Sequence, residues 1–262
     1  MVQSRYDQIE LCDEFLNNTR LFTFASGDGT SNSSGVLNTA TEDAMNGVFR
    51  LNPGTTNGGS SVLLTNRQFQ PEAQYLIDFE AMCAVQDIST THFFLGLSTD
   101  DTSDVAPTTI ATATATALTP ALSDYVGILW NSVWTDGHLR YVWRGGTGAA
   151  QGTALTQETS SVDADEYASD LAIADGSWFT ARVRVNQNGD AEFWVEGRRV
   201  KKDGRGDEED ENVRNYWRVP GAVDPTERFA LNILAENRGT QTNDTKRVYI
   251  DYANLAFRRG LK

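Results

Sequence analysis

Residues 177–200 read SWFTARVRVNQNGDAEFWVEGRRV, and this stretch decides the fold class of the chain. From Phe179 to Val185 every second residue is apolar, and the same alternation returns over residues 191–195. Successive side chains of a β-strand point to opposite faces, so a period of two indicates half-buried strands. We predict that the two segments form a β-hairpin.

The loop of this hairpin sets its register. A two-residue turn at residues 188–189 would place apolar positions opposite polar ones and split the core face. A three-residue loop over residues 187–189, with Gly189 in the left-handed conformation, instead puts Val183 opposite Phe193. We therefore predict the three-residue loop.

The predicted register also pairs the side chains on the other face of the hairpin. Arg184 lies opposite Glu192, and Arg182 lies opposite Trp194. Each such cross-strand pair stabilises a sheet by a few tenths to ~1 kcal/mol.

Strand-like runs continue along most of the chain, and turn-rich segments separate them. Stretches with a helical period are almost absent. Many short strands without helices between them favour an all-β fold, an antiparallel two-sheet jelly-roll sandwich. Besides the hairpin, the predicted strands cover residues 21–24, 47–51, 61–65, 74–85, 92–97, 124–130, 139–143, 228–234 and 247–257.

The predicted organisation is an N-terminal arm over residues 1–20 and a single sandwich domain over residues 21–262. A chain of 262 residues is long enough for one large core. Residues 106–120, APTTIATATATALTP, form a Thr/Ala-rich run. We expect this run to be a surface excursion from the domain.

Charge and cysteine content exclude several classes of protein. The formal net charge of −14 opposes binding to nucleic acid, and the mixed charges of residues 205–218 indicate a solvated loop. Cys12 and Cys83 lie far apart, so we expect no disulfide framework. No apolar run has the length of a signal peptide core or a membrane span, so we expect synthesis in the cytoplasm and no membrane partner.

Asp78 and Glu80 are the first candidate site residues. They alternate with apolar neighbours, which places two carboxylates about 7 Å apart on one strand face. Paired carboxylates hydrolyse glycosides. The stretch resembles the Glu-x-Asp-x-x-Glu strand of family 16 glycoside hydrolases, but Leu76 stands where the resemblance places the nucleophile. We therefore assign no catalytic residue and predict a polar strand face on a protein that is not an enzyme.

The sequence predicts no metal or cofactor site. His92 and His138 are the two histidines, and neither has a cysteine or carboxylate at ligand spacing, so neither a zinc site nor a serine triad is expected. Acidic residues that could attract calcium lack the spacing of a dedicated loop. These are Asp100, Asp101, Asp104 and residues 207–211.

Tryptophans give an alternative hypothesis of sugar stacking. Trp130, Trp134, Tyr141 and Trp143 lie close in sequence around a turn at residues 135–137. A large β-domain also needs aromatic residues in its core. Trp134, near the tip of the turn, is the residue whose exposure would favour sugar binding.

Several blocks together resemble a concanavalin A-like or laminin G-like jelly roll. In chain order they are GVFRL at 47–51, IDFEAM at 77–82, FFLGLSTDD at 93–101, DYVGILW at 124–130, the hairpin, and VYIDYANLAF at 248–257. The Gly-Leu-Ser strand end, the Val-Gly-Ile strand and the Val-Glu-Gly end of the hairpin are also similar to proteins encoded near the major capsid gene of tailed bacteriophages.

This resemblance implies a non-enzymatic virion structural protein, such as a capsid decoration protein. Its expected partners are the major capsid protein or other virion proteins and further copies of itself, reached through the arm or residues 106–120. A carbohydrate-binding module is the alternative, and an exposed row of aromatic residues would favour it. A glycan-degrading enzyme is the third hypothesis, and two facing carboxylates in a cleft would favour it.

Overall fold

A computed structural model describes residues 8–13, 22–26, 35–36, 47–102, 105–113, 118–134, 138–147, 168–195, 198–199, 218–239 and 247–258. Within these ranges nearly all regular structure is β-strand. The elements are β1 (Gln8–Asp13), β2 (Thr23–Ser26), β3 (Gly35–Val36), β4 (Phe49–Leu51), β5 (Ser60–Leu64), α1 (Pro71–Gln74), β6 (Leu76–Val85), β7 (Thr91–Ser98), α2 (Pro107–Ile110), β8 (Ala111–Ala113), β9 (Leu118–Pro120), β10 (Tyr125–Trp130), β11 (His138–Arg144), β12 (Ala168–Ala172), β13 (Trp178–Asn186), β14 (Ala191–Val195), β15 (Arg198–Arg199), β16 (Arg218–Val219), β17 (Ala230–Asn237) and β18 (Val248–Arg258).

The described strands form two large sheets and a small one. Sheet A has the order β15-β14-β13-β6-β18-β4-β3, with β1 on β18 and β16 on β14. Sheet B has the order β12-β11-β10-β7-β17-β5-β2, and β8 pairs with β9. Each of these strand pairs is antiparallel. The predicted fold class, an antiparallel jelly-roll sandwich, is confirmed.

The core lies between sheets A and B. Phe93 of β7 packs edge-on against Phe179 of β13, with ring centroids 5.8 Å apart. Tyr141 of β11 packs against Phe193 of β14, with centroids 5.2 Å apart. Burying a large apolar side chain contributes roughly 1.5–3 kcal/mol, so these inter-sheet contacts hold the two layers together.

The predicted hairpin register is confirmed. Val183 lies opposite Phe193, and Arg184 lies opposite Glu192. Gly189 has φ 77° and its N–H donates to the Asn186 carbonyl at 3.0 Å. The three-residue loop therefore puts the alternating apolar residues, Phe179 to Val185 in β13 and Ala191 to Val195 in β14, on the core side.

Part of the predicted N-terminal arm, residues 8–13, docks on the sandwich domain. They form β1, which pairs with β18 from Asp13 opposite Ala253 to Gln8 opposite Arg258. The cause is the length of β18, because β4 pairs with only its first three residues, 248–250. Strand β1 satisfies backbone groups that would otherwise remain unpaired along that edge. The other residues of the arm lie outside the described residues.

The structure also describes part of the Thr/Ala-rich run at residues 106–120, which we predicted to be a surface excursion. This segment forms α2 and the β8–β9 hairpin, in which Ile110, Ala111 and Leu118 are buried. Because Thr and Ala surround them, these apolar residues give the run no period in the sequence. They cover the face of sheet B that points away from sheet A.

Replacing Gly189 tests the tight packing of the hairpin loop. A Cβ atom there would lie 2.1 Å from the Val223 carbonyl oxygen, in addition to the cost of a positive φ. We expect Gly189→Ala to lower the free energy of unfolding by at least about 2–3 kcal/mol in urea titrations.

Gly176→Ala is the matched control for this substitution. Gly176 has φ 67°, but a Cβ there would have no heavy atom within 4 Å. The free energy of unfolding of this variant should fall only by the cost of the backbone conformation, about 1 kcal/mol. Equal losses in the two variants would contradict the close approach of Val223.

Candidate functional site

The outer face of sheet A, which points away from the core, carries a group of partly exposed aromatic side chains. Trp178, Ala84 and Tyr249 lie side by side in one row across β13, β6 and β18. Trp178 is 42% exposed, whereas Ala84 is buried and small. Trp178 and Tyr249 therefore lie on either side of the small Ala84, about two strand spacings or roughly 9.5 Å apart at their backbones.

The next row of the same strands adds a second tyrosine. Thr180, Met82 and Tyr252 lie side by side, and all three are half-buried. We call the five residues Trp178, Ala84, Tyr249, Met82 and Tyr252 the aromatic patch.

Hydrogen bonds fix the two tyrosines of the aromatic patch. The Tyr249 hydroxyl donates to Gln86 Oε1 at 3.3 Å, and the Tyr252 hydroxyl donates to Glu80 Oε1 at 2.9 Å. Burial and the bond to Glu80 raise the pKa of Tyr252, which keeps its hydroxyl protonated. The patch thus has rings of defined orientation with polar atoms at their edges.

A cluster of charged side chains borders the aromatic patch. Asp78 accepts hydrogen bonds from Arg182 Nε at 2.6 Å and from Arg184 Nη2 at 2.8 Å. Both guanidinium groups lie 4.9 Å from the centre of the Trp194 ring. Glu192 lies 3.7 Å from Arg184. These contacts hold two cations and an indole ring in a single arrangement.

The two candidate carboxylates share one polar strand face, as the alternation predicts. Asp78 is almost buried between two arginines, and Glu80 accepts from Tyr252 and lies 3.9 Å from Arg182. Both carboxylates are therefore engaged as hydrogen-bond or ion-pair acceptors by neighbouring side chains. The absence of hydrolase activity stays a prediction.

His92 has two polar neighbours that the sequence spacing does not show. Its Nε2 lies 3.1 Å from Ser132 Oγ, and its Nδ1 lies 3.4 Å from Asn131 Nδ2. Asn131 Oδ1 accepts from the Val133 N–H at 3.1 Å, which leaves the amide N–H₂ to donate to Nδ1.

This tautomer decides the chemistry of Ser132. With Nδ1 as an acceptor, His92 carries its proton on Nε2 and donates it to Ser132. A serine nucleophile needs the reverse, an Nε2 that accepts the hydroxyl proton. Burial lowers the pKa of His92 to about 3, with a further contribution from Arg238. In this arrangement His92 positions the hydroxyl of Ser132 and does not activate it.

The tryptophans near residues 135–137 do not form an exposed platform. Trp130, Trp134, Tyr141 and Trp143 are all buried, so the exposure of Trp134 that would favour sugar binding there is not found. Arg140 lies over Trp134 at 5.2 Å and helps to cover it. Among the tryptophans that the structure describes, the exposed indole is instead Trp178. The alternation of β13 already places it on the polar face.

The described residues contain no group of three or more His, Cys, Asp or Glu side chains that could hold a metal ion. Asp100 accepts from the backbone and hydroxyl of Thr102, and Asp101 accepts from the backbone of Arg67. Asp104 and residues 207–211 lie outside the described residues. Cys12, which is exposed, and Cys83, which is buried, are not joined in a disulfide. Among the helices that the structure describes, none is long and apolar enough to span a membrane.

The chain matches no protein-family model and no curated protein. Its fold is similar to solved structures over almost the whole chain. The carbohydrate recognition domain of Emp47p has a TM-score of 0.53 at 11% identity, covering 98% of this chain and 97% of that one. Peanut lectin has a TM-score of 0.53 at 10% identity, covering 97% of this chain and 99% of that one. A structure from work on endo-acting O-glycanases of the human gut microbiota has a TM-score of 0.54 at 7% identity, covering 95% of this chain and 99% of that one. The chain therefore has a concanavalin A-like, lectin-like fold.

The buried His92 generates a prediction for acid stability. Its pKa is 6.5 before perturbation and about 3 in the folded protein. Between these values the unfolded chain takes up a proton that the folded chain does not. The contribution of neutral His92 is therefore complete above pH 6.5 and is lost as the pH falls toward 3. We expect a loss of about 2 kcal/mol at pH 5 from this group.

Urea titrations at pH 5 and pH 7.5 measure this loss in the wild type and in His92→Gln. The variant should lack this component of the pH dependence. His138→Gln is the control, because it removes the other histidine and keeps His92. Identical differences between the two pH values in wild type and His92→Gln would disprove the assignment.

Proposed function

We propose that the protein binds carbohydrate on the aromatic patch of sheet A. The observation that carries this proposal is the row in which Trp178 and Tyr249 flank the buried Ala84. Flat aromatic faces pack against the apolar faces of pyranose rings, and their separation suits a segment of about two sugar units.

Polar groups of defined position support the same function. Glu80, Gln86 and Thr180 border the rings, and sugar hydroxyls both donate and accept hydrogen bonds. Because the tyrosines are already held by hydrogen bonds, a ligand orders few side chains when it binds. Such preorganisation lowers the entropic cost of binding.

The lectin-like fold agrees with this proposal without proving it. Jelly rolls occur in lectins and in viral capsid domains, so fold alone does not choose between them. Two similar structures are named as a carbohydrate recognition domain and a lectin. These names favour carbohydrate binding over the other hypotheses for this chain.

The virion hypothesis has less support in the described residues. It relied on the N-terminal arm and residues 106–120 to reach a capsid partner. Residues 8–13 pair with β18, and Ile110 and Leu118 are buried against sheet B. Within the described residues both segments make intramolecular contacts, which gives that hypothesis no support. Capsid partners and a homo-oligomer stay predictions.

Removing the rings tests the proposal. The wild-type protein is screened on a glycan array, and the affinity for its best glycan is measured by calorimetry. We expect Trp178→Ala and Tyr249→Ala each to weaken binding at least about tenfold, or ~1.4 kcal/mol, because each removes a stacking surface.

Tyr75→Asn is the matched control. Tyr75 is 46% exposed but precedes β6 at the end away from Ala84, about 30 Å along the strand. Its φ of 59° is one that asparagine tolerates. This variant should bind as the wild type does. Loss of affinity in the control, or none in Trp178→Ala, would place the site elsewhere.

A further inference from the structure

The outer face of sheet B, which points away from sheet A, is covered over its central strands β7, β10 and β17. Phe94, Tyr125, Leu129, Asn232 and Leu234 lie on this face, and each is 0% exposed. The neighbouring residues on the core face are buried as well, so β7, β10 and β17 are buried on both sides. A third layer of the protein must therefore lie on this face.

That layer is built by the chain itself. We call residues 105–113 and 118–120 the strap. Within it, α2 packs on β7 and β17, and β8 pairs with β9. Val105, Ile110 and Leu118 supply its buried apolar side chains. The strap thus occupies a surface of the sandwich that a ligand would otherwise reach.

Hydrogen bonds tie the strap to sheet B at two places. The backbone N–H and the hydroxyl of Thr108 donate to Glu236 Oε2 at 3.0 and 2.6 Å. Arg144 Nη1 donates to the Pro120 carbonyl at 3.3 Å. Glu236 is buried and also forms an ion pair with Arg238 at 3.2 Å. The Glu236 carboxylate, which accepts two hydrogen bonds from Thr108, is therefore the main polar anchor of the strap.

The outer face of sheet B also holds two buried polar atoms without partners in the described part of the chain. The Tyr125 hydroxyl and Asn232 Oδ1 are buried and have no hydrogen-bond partner among the described residues. The orientation of the Asn232 amide is fixed, because its Nδ2 donates to Ser98 Oγ at 2.7 Å. Burying such atoms unpaired costs free energy. That cost disappears in any state in which water or a ligand reaches them.

We propose that the strap opens while the sandwich stays folded, and that opening uncovers the outer face of sheet B. The uncovered face offers a carboxylate at Glu236, a hydroxyl at Tyr125 and an amide oxygen at Asn232, above an apolar floor. The inference is independent of the aromatic patch, which lies on the other sheet.

Native-state hydrogen exchange tests the opening. Amides of α2 and β8 should exchange through a local opening, faster than those of β7 and β17. Thr108→Val removes the 2.6 Å bond to a carboxylate, so we expect about tenfold faster exchange in the strap and unchanged exchange in β7. Thr112→Val is the control, because exposed Thr112 lies in the same strap but its hydroxyl bonds only weakly to Thr119 at 3.4 Å.

The proposal would be overturned if the strap amides exchanged only at the same rate as the amides of β7 and β17, in both the wild type and Thr108→Val. A second variant tests the unpartnered hydroxyl without disturbing the anchor. Tyr125→Phe should leave the urea midpoint unchanged or raise it, because the hydroxyl has no bond to lose in the closed state. A lower midpoint would mean that the strap satisfies this hydroxyl, and the reason given for opening would fail.

Discussion

The register of β6 between β13 and β18 is the constraint on which the rest of the structure depends. On the core side, Phe79 lies opposite Val183 and Leu255, and on the other side Asp78 lies opposite Arg184. A shift by one residue would bury the carboxylate and expose the phenylalanine, so the apolar face and the ion pairs specify the same alignment. That alignment also brings Trp178 level with Tyr249, and the proposed binding surface is a consequence of the register rather than of a separate loop.

The two outer faces of the sandwich are used differently. Sheet A presents half-exposed aromatic and charged side chains whose partners are already in place, whereas sheet B is covered by the strap. A covered sheet needs apolar residues on both sides, and Phe94 and Leu234 meet this need under the strap. Phe94 also lies across Gly96 and Gly127, where a Cβ atom would meet its ring at 2.9 and 2.5 Å. These glycines let the ring lie low enough for the strap to pass over it.

The sequence was sufficient for features that depend on neighbouring residues. The alternation of β13 and β14 predicts both strands, and Gly189 predicts the loop that joins them. It was insufficient where a contact joins distant segments. Nothing local in residues 8–13 shows that β18 has a free edge, and nothing in the Thr/Ala run shows that Glu236 anchors it. The candidate site followed the same rule, because alternation placed Trp178 on the polar face, but only the strand order brings Tyr249 beside it.

The charged cluster next to the aromatic patch has a positional role that its energy alone does not explain. Arg182 and Arg184 are about one-third exposed, so their ion pairs with Asp78 contribute modestly after solvent screening. Their geometry is nevertheless well determined, since both guanidinium groups contact one carboxylate and one indole ring. Because Arg182 also lies beside Glu80, the partner of Tyr252, the cluster and the patch share a continuous set of contacts. A ligand on the patch would therefore meet a surface whose polar groups are oriented before it arrives.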